Sequence, residues 1–292
     1  MKRREFLKTV VYTGAAAFLP LHRADASTHT LRIALLHLAP VPGDLAGNRT
    51  LVEKAMTTAA ESGAEWMITP ELCTCGYDFA EMIGTDWIRP QPDEWMKGIC
   101  TLAAHLGATV FLAHPEMDPL SKKLYNSVFV IGPDGRILGR HRKIRIIPGG
   151  AESWTSPGDQ AFPIKVQPFG KVGVLICADA YAPWISQRLK EQGAKLLVSS
   201  AAWGPGPYGP NGEWERASSD TGLPLLVCNR TGMDRTLDFT RAESVVVKEG
   251  RRLYSMASES SAIFLVDWDL RKQAPVPGAP RTISLEVDRG TG

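Results

Sequence analysis

The chain has 292 residues, of which 44% are hydrophobic and 22% charged, as in an ordinary globular protein. No apolar run reaches about 20 residues, so no membrane-spanning segment is predicted. The net charge is +2, but the first 26 residues contribute +3 (five Lys or Arg against two Asp or Glu), which leaves the remainder near −1. This balance excludes a general attraction to nucleic acid or to anionic membranes.

The first 26 residues have the features of an export signal. Residues 3–8 (RREFLK) resemble a twin-arginine motif, residues 9–21 are mostly apolar, and residues 24–26 form an A-x-A cleavage site. We therefore expect a signal peptide cleaved after Ala26 and a periplasmic or otherwise exported mature protein. The alternative interpretation is a basic amphipathic helix.

Apolar runs alternate with helical patterns along the rest of the chain. The predicted strands are 31–38, 66–72, 108–117, 195–202, 224–232 and 261–270, and hairpins cover 125–146, 163–180 and 243–257. The predicted helices are 48–64, 93–108, about 182–192 and about 213–219. Such alternation, mixed with hairpins, predicts an α/β protein with a mixed sheet covered on both faces. We expect one domain over 27–292, with 273–292 as a surface tail.

Cys177 is the first candidate for chemistry. It ends the apolar run VGVLIC, and an acid, Asp179, follows two residues later. A buried structural cysteine is common, because a free thiol behaves as a small hydrophobic group. The end of a strand entering a tight turn also exposes backbone N–H groups to a developing oxyanion, as a thiol nucleophile requires.

A histidine is the usual partner of a catalytic cysteine, but none of the six histidines has a convincing setting. His37 and His114 lie at predicted strand ends and remain candidates. Three charged residues offer another arrangement: Glu71 after Pro70 at a strand end, Lys143 within a basic strand, and Glu152 in a loop nine residues later.

Together these residues resemble the nitrilase superfamily of carbon–nitrogen hydrolases. The family order of Glu, Lys, Glu and Cys falls on Glu71, Lys143, Glu152 and Cys177. The segments GNRTLVEKAMTTAAESGAEWMITPEL, LYNSVFVIGPDGRILGRHRKI, SSAAW and VCNRTG also resemble the family, so the resemblance runs from about residue 31 to about 270. It implies a four-layer αββα sandwich, commonly assembled as a homodimer or higher homo-oligomer, with no metal and no organic cofactor.

The resemblance also implies roles for individual residues. Glu71 would act as general base, Cys177 as nucleophile, and Lys143 with the backbone N–H of Ala178 as the oxyanion site. Glu152 would position Lys143 or the substrate nitrogen. Asn126 would lie near Lys143 and support it. Apart from the resemblance, the aromatic residues Tyr77, Trp154 and Trp203 are candidates for lining the substrate pocket, and ordinary core packing is the alternative for each.

Departures from the family pattern narrow the expected chemistry. True nitrilases usually carry Trp-Glu after the cysteine, whereas this chain has Ala178-Asp179, which favours the amide-cleaving branches. Carbamoyl-amino-acid hydrolases tend to place arginines after that acid, whereas Ala180-Tyr181 follow here. The family's usual Pro-Glu after the cysteine is replaced by Pro183-Trp184.

The sequence therefore predicts a hydrolase that cleaves the C–N bond of a small amide through a cysteine thioester. Nitrile hydrolysis and N-carbamoyl hydrolysis are the alternatives within the enzyme class. A catalytically silent fold that binds a small amide or amine is the alternative of another class. Cys73-x-Cys75 suggests a metal or redox pair as a further alternative, although metal sites usually need a second pair and the family has packing residues there.

Overall fold

The computed structural model describes residues 29–147, 150–235 and 237–285, so the predicted signal peptide lies outside the described residues. The helices are α1 (Leu45–Glu61), α2 (Phe79–Ile83), α3 (Glu94–Leu106), α4 (Pro183–Glu191) and α5 (Glu213–Thr221). Two short 3₁₀ turns lie at Gly150–Glu152 and Cys177–Tyr181. The strands are β1 (Thr30–His37), β2 (Trp66–Ile68), β3 (Thr109–Met117), β4 (Leu124–Ile131), β5 (Ile137–Arg142), β6 (Ile164–Val166), β7 (Gly170–Ile176), β8 (Leu196–Ala201), β9 (Leu225–Asn229), β10 (Met233–Asp234), β11 (Leu237–Asp238), β12 (Ser244–Lys248), β13 (Arg251–Met256), β14 (Ala262–Asp269), β15 (Ala274–Pro275) and β16 (Arg281–Ser284).

The strands of the described chain form two large mixed sheets and one small hairpin. The first sheet has the order β15-β14-β1-β2-β3-β4-β5, with β16 paired to β14. The second has the order β13-β12-β9-β8-β7-β6, and β10 pairs with β11 separately. Apolar side chains of both sheets meet in one core cluster, including Ile33 and Phe111 from the first sheet and Val174 and Val227 from the second.

Helices cover the outer face of each sheet. α1 and α3 bury Val52, Met56 and Ile99 against the first sheet, while α4 and α5 pack against the second. α3 begins as predicted, because the Asp93 side chain accepts a hydrogen bond from the Met96 N–H, and it ends at Gly107 in the left-handed region. The four-layer αββα sandwich predicted from the sequence is confirmed.

Some element boundaries differ from the predictions in ways that affect the site. β2 ends at Ile68, so Glu71 lies in the following turn rather than in the predicted strand over 66–72. β5 ends at Arg142, so Lys143 follows the strand rather than lying within it. In both cases the charged side chain is buried rather than exposed on a strand face. It is compensated there, because Lys143 and Asn126 donate hydrogen bonds to Glu71.

The described part of the tail lies along one edge of the first sheet. β16 continues the sheet by pairing antiparallel with β14, from Ala262 opposite Ser284 to Leu265 opposite Arg281. None of the helices within the described ranges is long and apolar enough to cross a membrane.

Candidate active site

The catalytic candidates lie where the carboxyl ends of β2, β5 and β7 meet the amino end of the antiparallel strand β4. Glu71, Asn126 and Lys143 come from the first sheet, after β2, within β4 and after β5, whereas Cys177 follows β7 of the second sheet. Parallel strands bring their carboxyl ends to one edge, which is where α/β folds place binding sites. The sandwich thus brings together residues separated by up to about a hundred positions in the chain.

Glu71 is the centre of this cluster and is fully buried. Its Oε1 accepts hydrogen bonds from Lys143 Nζ at 2.7 Å and from Asn126 Nδ2 at 2.8 Å. Its Oε2 accepts a bond from the Ala202 N–H at 3.0 Å, across the gap between the sheets. The carboxylate is therefore fixed in one orientation by donors on three separate segments. Asn126 supports Glu71 through its side chain and Lys143 through its carbonyl, which accepts the Lys143 N–H at 2.8 Å.

Lys143 is buried between two carboxylates. Its Nζ donates to Glu152 Oε1 as well as to Glu71 Oε1. Glu152 is held in turn, because its Oε2 accepts the Ile147 N–H at 2.8 Å. A buried cation hydrogen-bonded to two acids is compensated in charge and restricted in position, as an electrostatic group in an active site must be.

Cys177 occupies a strained turn at the edge of a cleft. Its φ of 45° lies in the left-handed region that residues other than glycine rarely adopt. The Sγ–H donates to the Ala202 carbonyl at 3.8 Å, and the thiol lies close enough to Glu71 and Lys143 for the groups to shift one another's pKa. Ala178 follows in the first turn, where N–H groups have no partner within the turn, and it lines the same cleft.

Asp179 joins the lysine segment to the cysteine turn. Its Oδ1 accepts the N–H groups of Ile144 at 2.9 Å and Arg145 at 2.8 Å, and its Oδ2 accepts the Ile176 N–H at 2.9 Å. His141 Nε2 lies 2.8 Å from the same Oδ2. One buried carboxylate therefore sets the spacing between Lys143 and Cys177.

Asp179→Asn is expected to lower the free energy of unfolding by about 1–3 kcal/mol. Its amide N–H₂ would replace one carboxylate oxygen and would then face N–H groups that now donate to that oxygen. We expect kcat to fall as well, since the cysteine turn loses its fixed distance from Lys143. Denaturant unfolding and steady-state kinetics check both effects. Asp134→Asn is the matched control, since Asp134 accepts a backbone N–H in an exposed hairpin turn. Equal behaviour of the two variants would contradict the positioning role of Asp179.

Burial and charge determine the protonation states of the cluster. Burial raises the pKa of Glu71, Lys143 opposes this, and Glu152 adds to it, so the Glu71 pKa lies above 4.5. Burial and the neighbouring Glu71 raise the pKa of the Cys177 thiol well above its ordinary value. Burial lowers the pKa of Lys143, but Glu71, Cys177 and Glu152 outweigh it and raise that pKa well above its ordinary value. These shifts favour a protonated thiol at Cys177 and an ammonium at Lys143, and the raised pKa makes Glu71 a stronger base toward the thiol proton.

The acid limb of kcat/KM is expected to lie above pH 4.5, because the base form of Glu71 is lost as the pH falls through its raised pKa. Glu152→Gln removes a negative charge that raises the Glu71 pKa, so this limb is expected to move to lower pH. A pH–rate profile of both proteins measures the shift. Glu116→Gln, which changes a buried acid paired with Arg142 away from the cleft, is the control. If the acid limb of kcat/KM has the same midpoint in Glu152→Gln as in the wild type, then Glu152 does not influence the pKa of Glu71.

The thiol opens into a cleft of about 1310 Å³. Tyr77 and Trp203 line this cleft, as does Glu152. Trp154, predicted as a pocket residue, instead lines a smaller neighbouring cavity of about 240 Å³ and packs edge-on against Phe79 at 5.0 Å. The chain between Glu152 and Trp154 turns away from the cleft, which places Trp154 against α2.

The remaining candidates lie away from the thiol. His37 contacts Ser244 Oγ and His114 contacts Thr74 Oγ1, and burial lowers the pKa of each histidine to about 4. Cys73 and Cys75 pack in different core clusters, and burial raises the pKa of Cys73 to about 12. Within the described ranges no group of three or more His, Cys, Asp or Glu side chains is arranged to hold a metal ion.

Several residues that shape the site were not predicted from the sequence. Ala202 contributes only backbone groups, for which the sequence carries no signal. Tyr181, Tyr208 and Phe239 line the cleft. Tyr208 is the one aromatic in the segment GPGPYGPNG, and an isolated large side chain in such a loop is a signal that was available.

Comparison with known proteins agrees with this geometry. The sequence matches the carbon–nitrogen hydrolase family over residues 32–275. It is 30% identical to the mouse omega-amidase NIT2 over 270 residues, covering 85% of this chain and 91% of that protein. It is 26% identical to a probable nitrilase of Schizosaccharomyces pombe over 255 residues, covering 84% of this chain and 90% of that protein.

The fold is similar to that of a solved amidase variant from Nesterenkonia sp. AN1, whose active-site cysteine carries the acetamide moiety of fluoroacetamide. The TM-score is 0.71 at 22% identity, covering 83% of this chain and 93% of that chain. With the family match spanning most of its length, this chain belongs to the carbon–nitrogen hydrolases. The enzyme class predicted from the sequence is thereby confirmed.

Proposed function

We propose that the protein hydrolyses the C–N bond of an amide, with Cys177 as nucleophile and Glu71 as general base. The carrying observation is the buried Glu71–Lys143–Glu152 cluster beside the Cys177 thiol, which lines an open cleft. Ala178-Asp179 after the cysteine, in place of Trp-Glu, favours an amide over a nitrile. The mouse relative is named an amidase, which supports the same choice.

The first half of the reaction forms an acyl-enzyme. Glu71 takes the thiol proton as Sγ attacks the amide carbon, and negative charge develops on the amide oxygen. The Lys143 ammonium and the Ala178 N–H stabilise that oxygen. Collapse breaks the C–N bond, and the departing nitrogen takes the proton from Glu71 to leave as ammonia or an amine.

The second half regenerates the enzyme. Glu71 takes a proton from water, whose oxygen attacks the thioester carbon, and the carboxylic acid leaves as the thiol is reprotonated. Glu152 serves both halves by holding Lys143, so that the ammonium keeps its position while charge appears and disappears on the substrate oxygen.

Ammonia release by the mature protein from short amides, nitriles and carbamoyl compounds tests this proposal, with Cys177→Ala as the background. We expect release from amides, together with a thioester adduct on the Cys177 peptide after acid quench and mass spectrometry. Release from nitriles alone would replace the amidase assignment by nitrile hydrolysis. Release from carbamoyl compounds alone would assign the carbamoyl branch. No turnover and no adduct with any compound would favour a silent binding fold.

We also propose that residues 1–26 direct export to the periplasm by the twin-arginine route. The order of a twin-arginine motif, an apolar stretch and an A-x-A site supports this, as does the concentration of positive charge before Ala26. Changing Arg3 and Arg4 to lysine is expected to retain the precursor in the cytoplasm, and cell fractionation measures this. Unchanged export of the double variant would contradict the route.

The homo-oligomer implied by the family resemblance stays a prediction, for which sedimentation of the mature protein is the measurement.

A further inference from the structure

Three aromatic residues form an ordered surface beside the nucleophile, here called the aromatic wall: Tyr181, Trp203 and Tyr208. Tyr181 ends the 3₁₀ turn that begins at Cys177. Trp203 follows Ala202, whose carbonyl accepts the Cys177 thiol and whose N–H binds Glu71. The wall is therefore continuous with the catalytic groups along the chain and in space.

Trp203 and Tyr181 are each held in place by several contacts. The Trp203 N–H donates to Asn229 Oδ1 at 3.0 Å, and Asn229 Nδ2 donates back to the Trp203 carbonyl at 2.9 Å. The Trp203 ring lies 4.8 Å from the Tyr181 ring, and its other neighbour is the buried Trp214 at 5.4 Å. Trp203 and Tyr181 both donate to the Tyr208 carbonyl, which accepts the Trp203 Nε1–H at 3.1 Å and the Tyr181 hydroxyl.

This arrangement leaves apolar ring surface toward the cleft. Tyr208 itself is 82% exposed, although two aromatic donors fix its carbonyl. Tyr77 and Phe239 add a second aromatic pair to the lining, with ring centroids 6.2 Å apart. A cleft of about 1310 Å³ is far larger than an amide of two or three carbons needs.

We propose that the aromatic wall is the specificity site of this enzyme and that its substrate is an amide bearing an aromatic ring. This inference rests on the proposed amidase function. The ring of the substrate would pack against Tyr181 and Tyr208 while its amide carbon lies at Cys177. Aromatic rings favour offset or edge-on packing on such surfaces, and burial of a phenyl group adds to this.

The test compares two amides that share an acyl chain, propionamide and 3-phenylpropionamide. We expect kcat/KM for the phenyl compound to exceed that for propionamide by about 10- to 100-fold. 3-Cyclohexylpropionamide has similar size without an aromatic face, and its kcat/KM is expected to be several-fold below that of the phenyl compound. Equal values for the cyclohexyl and phenyl compounds would overturn the aromatic assignment.

Variants of Tyr208 test whether the preference for the phenyl compound comes from the aromatic wall. Tyr208→Ala keeps the carbonyl that Trp203 and Tyr181 bind but removes the ring, and it is expected to lower the phenyl-to-propionamide ratio about 5- to 10-fold. Tyr208→Phe keeps the ring and is expected to retain the ratio. Phe162→Ala removes an exposed ring outside the cleft and is the control.

The outcomes separate this inference from the proposed function. Hydrolysis of propionamide with no preference for the phenyl compound would overturn the wall as a specificity site and leave the amidase standing. A change of sedimentation in Tyr208→Ala with an unchanged ratio would also overturn it, because the ring would then serve an interface between copies of the chain. The absence of turnover and of adduct with every amide would overturn both proposals.

Discussion

Cys177→Ala is expected to lower kcat/KM for amide hydrolysis by about 10⁴-fold or more, because it removes the sulfur that forms the acyl-enzyme. Within the described ranges, Cys177 is the only cysteine that lines the large cleft. The side chain is small and 5% exposed, so its loss leaves the core largely unchanged. Ammonia release in steady state measures the effect, and circular dichroism checks the fold.

Cys100→Ala is the matched control, since this thiol lies on the outer helix α3 and lines no part of the cleft. It is expected to keep wild-type kinetics. Substantial turnover by a folded Cys177→Ala protein would remove Cys177 as the nucleophile and direct attention to water activated by Glu71.

Lys143→Met is expected to have two large effects. It removes the cation that stabilises the oxyanion, for which we expect a loss of about 10²- to 10³-fold in kcat. It also leaves Glu71 and Glu152 buried without a counter-charge, for which we expect a loss of about 3–5 kcal/mol in the free energy of unfolding. Kinetics and denaturant unfolding measure these separately.

A second substitution separates catalysis from stability at this position. Adding Glu152→Gln to Lys143→Met removes one uncompensated carboxylate, so the double variant is expected to regain part of the lost stability. Its activity is expected to stay low, because the ammonium is still absent. Lys165→Met changes an exposed lysine of β6 and is the control. Recovery of activity along with stability would show that Lys143 serves the fold and not the oxyanion.

The residues that carry chemistry were largely predictable, because charged groups and a thiol at the ends of apolar runs are conspicuous in a sequence. The order of Glu71, Lys143, Glu152 and Cys177 indicated the family, and the family implied the sandwich. Strand limits at the site were less predictable. The alternation of basic and apolar residues around Lys143 predicts that it lies within a strand. In the structure β5 ends at Arg142, and Lys143 turns toward Glu71 and Glu152.

The contacts between the sheets were not predictable from the sequence. The Ala202 N–H that orients Glu71 is a backbone group, so no side chain in the sequence indicates it. The sequence shows that Asp179 is an acid beside Cys177, but it does not show which N–H groups that acid binds. Trp154 shows the converse limit. An aromatic two residues after a site acid suggests a pocket residue, but a change of direction over those two residues sends its ring to a different cavity.

The raised pKa and the burial of Cys177 have a consequence for the lifetime of the enzyme. Oxidants and alkylating agents attack the thiolate, and a thiol that keeps its proton and is 5% exposed presents little of it. In the proposed mechanism the thiolate forms as Glu71 takes the proton during attack on the substrate carbon. Chemical durability between turnovers is thus built into the same electrostatics that make the attack depend on Glu71.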